Sequence, residues 1–371
     1  MFTDVFARQS WQEVKDSIYS KTAADVEMAL HTHQRTIEDF KALISPAAAS
    51  YLEPMARQSR DITRRRFGKT MQLFAPFYLS NECQNICTYC GFSLDNPMPR
   101  KTLSGGEIML ETAALRQLGF EHILLVTGEA NKTVGVDYLQ KAIRQIAPHF
   151  AQVSMEVQPL DTEAYRLLVA EGLYAVLVYQ ETYHESDYKK HHPKGKKSNF
   201  RYRLETPDRL GLAGVHKIGL GVLIGLEDWR TDSCFTAMHL QYLERQYWQT
   251  RYSISFPRLR PAEGVLQPKV VMNDRELVQL ICAYRLFNED VELSLSTREN
   301  QHFRNNMVPL GVTAMSAGSR TNPGGYAVAP QSLEQFEIDD HRSAAEIAAM
   351  IQAQGYEPVW KDWHTAWAIN S

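Results

Sequence analysis

The hydrophobic rhythm of the chain changes near residue 70. Before it, apolar positions recur at helical spacing. Ala23, Ala24, Val26, Met28, Ala29 and Leu30 form one group, and the stretch 40–52 forms another. Pro46 and Pro54 punctuate the region. From residue 71, short apolar runs alternate with amphipathic segments. The runs predict strands at 73–79, 122–127, 152–157, 174–180, 217–224, 252–257, 292–296 and 312–316.

The segments between them carry helix signals. Ser104-Gly-Gly-Glu107 reads as a capping box, with its helix ending near Gly119. Val136, Leu139, Ile143 and Ile146 follow at intervals of 3, 4 and 3. Asp161 opens a short helix that Gly172 closes. Thr206 reads as an N-cap with Pro207 at the first helical position. Longer helices are expected at 231–247 and 273–287, and Ser343-Ala-Ala-Glu346 opens a last one that Gly355 stops.

Eight strands, nearly all followed by a helix, imply parallel pairing with crossover helices. The simplest closure is an α/β fold of the (β/α)8 TIM type, and an open doubly wound sheet is the alternative. The expected division is a helical extension over 1–70, the barrel over 71–320, and a loop and helix closing the barrel over 321–371. Cys83, Gly128-Glu129, Gln158, Glu181, Arg298 and Ser316 all fall at the C-terminal ends of expected strands. Barrel active sites are built on that face.

Composition narrows the partners. The chain has 371 residues, 44% of them hydrophobic, which is ample for a barrel-sized core. Its formal net charge is −3, which suggests neither nucleic acid nor an anionic membrane. No apolar run approaches the roughly 18 residues of a membrane span. The N-terminus has no signal-peptide pattern, so a cytoplasmic location is expected. Arg64-Arg65-Arg66 reads as a solvated helix end.

The cysteines carry the chemistry. Three of the five lie together as Cys83-x3-Cys87-x2-Cys90. Three thiolates can hold three irons of a cubane cluster and leave the fourth without a protein ligand. An open metal position is where a substrate or cofactor binds. A closed zinc site would need a fourth ligand at short spacing, and the nearest histidine, His122, is remote. A disulfide framework would need an oxidising compartment and an even count. Gly91 follows the motif and permits close backbone approach.

This motif, with Tyr89 before its last cysteine, resembles the radical S-adenosylmethionine (SAM) enzymes. The flanks Tyr78-Leu-Ser-Asn81 and Tyr89-Cys-Gly-Phe92 resemble the aromatic amino acid lyase branch. Within it, the chain is most similar to the tyrosine lyases that serve the thiazole of thiamine. The resemblance runs from Lys21 to Trp363 and includes Val126-Thr-Gly-Glu129, Met155-Glu-Val-Gln-Pro159, Tyr179-Gln-Glu-Thr-Tyr-His184, Arg203-Leu-Glu-Thr-Pro-Asp-Arg209 and Leu295-Ser-Thr-Arg-Glu299.

The resemblance implies a 4Fe–4S cluster on Cys83, Cys87 and Cys90, with SAM chelating the open iron. It places Gly128 and Glu129 at SAM's amino group and Arg203 at its carboxylate. A surface salt bridge is the alternative for Arg203. Glu156 and Gln158 alternate on the third strand and so share a side. They would meet the SAM ribose or form an interior salt bridge. Gly221 and Gly225 would approach the adenine or serve packing. Arg298 would clamp the substrate carboxylate, and Ser316 and Tyr89 would contact the amino acid. The loop 183–203, with Lys189, Lys190, His191, His192, Lys194, Lys196 and Lys197, reads as solvated; a lid or a docking surface is the alternative.

The implied reaction is cleavage of the Cα–Cβ bond of L-tyrosine. A 5′-deoxyadenosyl radical takes hydrogen from the amino nitrogen. The products are 2-iminoacetate (dehydroglycine) and p-cresol, beside methionine and 5′-deoxyadenosine. Implied partners are the thiazole synthase and an electron donor such as flavodoxin or ferredoxin. The tyrosine lyases of iron-only hydrogenase maturation carry a C-terminal cysteine motif, and here no cysteine follows Cys282. A tryptophan lyase and a non-catalytic iron–sulfur protein are the remaining alternatives.

Overall fold

Eight parallel strands pair in chain order and close on themselves. They are β1 (Thr70–Ser80), β2 (His122–Thr127), β3 (Gln152–Glu156), β4 (Leu173–Leu177), β5 (Lys217–Gly221), β6 (Arg251–Ser255), β7 (Glu292–Leu295) and β8 (Ala314–Ser316). β1 pairs with both β2 and β8, so the sheet is a barrel and not an open doubly wound sheet. The computed structural model describes residues 1–260, 267–329 and 334–362. Parts of the expected closing segment, 330–333 and 363–371 with Trp363, lie outside the described residues.

The strands lie between the barrel interior and the surrounding helices, which explains their near-continuous apolar runs. Every residue of β2 and β5 is buried. β4 and β5 end sooner than their apolar runs suggest. Pairing nevertheless continues past their ends: Val178 and Gln180 N–H donate to the Gly219 and Gly221 carbonyls at 3.0 and 3.1 Å, and Leu223 N–H donates to the Glu181 carbonyl at 2.9 Å, with bridges from Glu181 to Val222 and from Ile224 to Arg258.

A ninth strand, β9 (Glu357–Val359), lies outside the ring. It pairs with Thr70–Gln72, so Gln72 meets β8 on one side and β9 on the other. Three residues are too short to show a period, so the hydrophobic pattern carries no signal for this strand. Asp362 follows it and meets Gln72, Gln152 and His122 at the N-terminal end of the barrel.

The N-terminal region is helical, with segments Trp11–Tyr19, Ala23–His31 and Ile37–Ile44 capped by Ser10, Thr22 and Thr36. The expected apolar stretch 40–52 divides at Ser45. Pro46 has no N–H to continue the helix, and a 3-10 turn, Pro46–Tyr51, leads into Leu52–Phe67. Trp11–Tyr19, Ile37–Ile44 and Leu52–Phe67 pack on the barrel helices Trp229–Gln246 and Asp274–Phe287, and Ala23–His31 packs on Ile37–Ile44. Ser104 and Ser343 form the expected capping boxes.

Thr206 is not an N-cap. The helix Phe200–Leu204 runs into Thr206–Leu212 through Glu205, which is itself helical. Thr206 therefore lies inside the turn, and its hydroxyl donates to the Tyr202 carbonyl at 3.1 Å. Among the described residues no helix is long and apolar enough to cross a membrane.

Candidate active site

β1 ends in a register shift between Tyr78 and Ser80 and delivers the cysteine loop to the barrel mouth. The loop is closed by its own ends. Leu103 N–H donates to the Leu79 carbonyl at 2.9 Å, and Asn81 N–H donates to Lys101 O at 3.1 Å. Arg100 organises its interior by donating to the carbonyls of Asn81, Phe92 and Ser93 at 2.8, 2.9 and 2.6 Å. Nothing in the sequence around Arg100 marks it as this hub. Cys83, Cys87 and Cys90 are free and line one cavity at the mouth. Burial pushes the Cys83 and Cys87 thiols up, and a metal ligand must be a thiolate. Three clustered thiols without disulfides, on a hydrogen-bonded loop beside an open cavity, fit a cluster with one unligated iron.

Gly128 follows β2 because nothing larger fits. A Cβ there would lie 2.2 Å from the Glu82 carbonyl of the cysteine loop. This approach sets Glu129 beside that loop. The Glu129 carboxylate accepts from Asn85 Nδ2 at 2.8 Å and from Arg203 Nη1 at 2.9 Å. Arg203 also donates to the Tyr179 carbonyl at 2.6 Å and lies 3.5 Å from Glu181. It is buried in the site, so the exposed salt bridge is not what forms. Burial alone would lower the Arg203 pKa, but Glu129 and its neighbours hold it above the usual range.

Glu181 completes this cluster and accepts from Lys197 Nζ at 2.7 Å. Its φ of 70° is the one positive value among described residues other than glycine. A strained backbone at a charged cavity residue is a mark of a functional site.

The loop 183–203 is not solvated throughout. It runs against the cysteine loop: Ile86 and Thr88 N–H donate to the carbonyls of Lys194 and His191 at 3.0 and 3.1 Å. His192 is fully buried. Its Nδ1–H donates to the Tyr188 carbonyl at 2.8 Å, which leaves Nε2 to accept from the Tyr89 hydroxyl at 2.7 Å. Burial keeps this imidazole neutral. Lys197 Nζ also lies 5.5 Å from the Tyr89 ring centre. The run of lysines hid the inward-facing members, because charge runs usually face solvent.

Arg298, Ser316 and Glu156 line the same cavity from β7, β8 and β3. Arg298 stacks on Phe336 with its guanidinium carbon 3.4 Å from the ring centre. The one described hydrogen bond of its guanidinium, to the Arg258 carbonyl, is 3.5 Å long, which leaves donors for a ligand. Burial lowers its pKa. The Ser316 hydroxyl accepts from Thr297 N–H at 3.0 Å. Glu156 has no described hydrogen bond; burial, with Glu181 adding, raises its pKa to about 7.

Gln158 sits elsewhere. β3 ends at Glu156, so the alternation that would put both on one side stops there. Gln158 Nε2 donates to the Val134 carbonyl at 2.6 Å, and the residue lines an adjoining pocket with Asn131, Asp161 and Tyr202. Gly221 faces the Tyr179 ring and Ser255, which fits packing, and a Cβ at Gly225 would lie 3.0 Å from Leu259.

A parallel barrel whose first strand ends in three cysteines, with a Gly-Glu turn after the second, defines a radical SAM protein. Residues 77–234 match the radical SAM superfamily, and 255–357 match the biotin and thiamin synthesis associated domain. The chain is 52% identical over 363 residues to the 2-iminoacetate synthase of Escherichia coli (strain K12), covering 98% of this chain and 96% of that protein. It belongs to the 2-iminoacetate synthase family.

The fold is also that of the FeFe-hydrogenase maturase HydG from Carboxydothermus hydrogenoformans. The TM-score is 0.84 at 30% identity, with 94% of this chain and 80% of that one covered. Methylornithine synthase shares the barrel at a TM-score of 0.72 and 18% identity, over 90% of this chain and 97% of that one.

Proposed function

We propose that the protein cleaves the Cα–Cβ bond of L-tyrosine to 2-iminoacetate and p-cresol, with SAM consumed to methionine and 5′-deoxyadenosine. The observation that carries this reading is a single cavity shared by three free cysteines and a buried arginine with donors to spare. Cys83, Cys87 and Cys90 would hold the cluster. When bound, the cluster supplies the electron that splits SAM into methionine and a 5′-deoxyadenosyl radical.

The chain's own residues orient and enclose. Glu129 is an acceptor for SAM's ammonium, and Arg203 a donor for its carboxylate. The two are paired with each other here, so SAM would take over part of that pairing. Glu156 offers an acceptor to the ribose, whereas Gln158, bonded to the Val134 carbonyl in the adjoining pocket, stands outside this set. Arg298 takes the substrate carboxylate in its planar fork, with Ser316 and Tyr89 beside it. Apolar Phe74, Leu124 and Leu177 line the cavity and suit the aromatic ring. Fixed placement of this kind is worth several kcal/mol of barrier.

The product passes to the thiazole synthase, and a flavodoxin or ferredoxin supplies the electron. Exposed Lys189, Lys194 and Lys196 beside the cysteine loop support an acidic partner there. The test is anaerobic. The reconstituted protein with dithionite, SAM and L-tyrosine is expected to give 5′-deoxyadenosine and p-cresol together, and Cys87→Ala neither. Deoxyadenosine without p-cresol would overturn tyrosine as the substrate.

A further inference from the structure

The segment after β8 returns over the barrel mouth and brings Gln335 onto the cysteine loop. Gln335 N–H donates to the Thr321 carbonyl at 2.9 Å, and its own carbonyl accepts from Gly91 N–H at 3.2 Å. A Cβ on Gly91 would stand 2.5 Å from that carbonyl, so the two backbones touch because residue 91 is glycine. In this position Gln335 Nε2 lies 3.6 Å from Cys90 Sγ, and Gln335 Oε1 accepts from the Tyr78 hydroxyl at 2.7 Å. Tyr78 is buried on β1.

We infer that Gln335 is a hydrogen-bond donor to the Cys90 thiolate that raises the reduction potential of the cluster, with Tyr78 as the residue that orients its amide. A cluster-ligating thiolate accepts and never donates. The amide must therefore turn its NH2 to sulfur, and Tyr78 must donate to the oxygen. Hydrogen bonds to cluster sulfurs are among the levers that set the potential. Taking up one electron increases the negative charge on the ligand sulfurs. A donor there stabilises the reduced form more than the oxidised form. Gln335 thus makes the cluster easier to reduce, and it acts from a part of the chain remote from the cysteine motif. This inference rests on the cluster assigned to Cys83, Cys87 and Cys90, and not on the identity of the substrate.

The test is the cluster potential without SAM or tyrosine. The anaerobically reconstituted protein and its Gln335→Leu variant are titrated with dithionite and followed by electron paramagnetic resonance. Iron and sulfide content is matched first, so that a failure to hold the cluster is read separately. Gln335→Leu is expected to shift the midpoint to a lower potential. Tyr78→Phe is expected to shift it the same way by less, because the amide remains but turns freely. Wild-type protein labelled with 15N-glutamine should show nitrogen coupled to the reduced cluster, a readout that survives if Gln335→Leu does not fold. An unchanged midpoint in a fully loaded Gln335→Leu, or no 15N coupling in the wild type, would overturn the inference. So would a loss of SAM affinity with no change in potential.

Discussion

Among the carboxylates of the cavity, Glu129 is held by Arg203 and Asn85, and Glu181 by Lys197. Glu156 has no described hydrogen bond, and its pKa is raised to about 7. The folded protein therefore holds this proton at pH values where the unfolded chain has lost it. The associated stability is present below the ordinary carboxylate range and is lost as pH rises toward about 7. Glu156→Gln removes the effect. In the cluster-free protein, denaturant unfolding across a pH series should show the variant gaining on wild type up to about pH 7 and then levelling, by at most about 3 kcal/mol. A constant difference across the series would contradict the raised carboxyl. Arg298→Lys keeps charge but loses the planar fork and the stack on Phe336. It should raise KM for tyrosine about 10-fold or more, with KM for SAM little changed. Residues in a dense local motif, such as the three cysteines, were legible. Lys197, His192, Gln335 and Phe336 were not, because each reaches the site from a distant segment and belongs to a type that usually lies on the surface or in the core.

At the scale of elements, apolar runs and caps located the strands to within a few residues, since a buried parallel strand is a short continuous run between turn signals. The sequence could not show which loops touch. The clasp of 183–203 on the cysteine loop depends on Gly195, with φ 95° and a built Cβ only 2.1 Å from Asn85 Oδ1. Asn85 in turn donates to Glu129 and accepts from Lys197 N–H at 3.1 Å. Gly195→Ala should strain the backbone by about 1–3 kcal/mol and part the two loops. The expected result is lower iron retention after desalting and a weaker KM for SAM. Full iron content with an unchanged SAM KM would show that the clasp is dispensable. Ser104→Ala, by contrast, removes only a cap at the start of Gly105–Gln117 and should cost about 1 kcal/mol of stability with activity retained.

At the scale of the whole molecule, the barrel was legible because eight repeats of one pattern have few closures, whereas the covering of its mouth came from one unrepeated segment. That segment is pinned at Asp340, which is fully buried and takes Arg304, also fully buried, together with Arg342 Nη2 at 2.6 Å. Arg304 donates in addition to the Ser316 carbonyl at 2.5 Å, so one guanidinium ties β8 to the segment that carries Gln335 and Phe336. Asp340→Asn keeps the shape and removes the charge. Leaving Arg304 buried without its counter-charge should cost about 3–5 kcal/mol, read as a lower unfolding midpoint. The pair Arg304→Met with Asp340→Leu removes both charges and should recover much of that loss. If the segment is needed to finish the site, both variants should still show a raised KM for tyrosine at temperatures where they are folded. A double variant that regains stability and also the wild-type KM would mean that Ser316 and Phe336 keep their places without the ion pair. The pair would then act on folding alone.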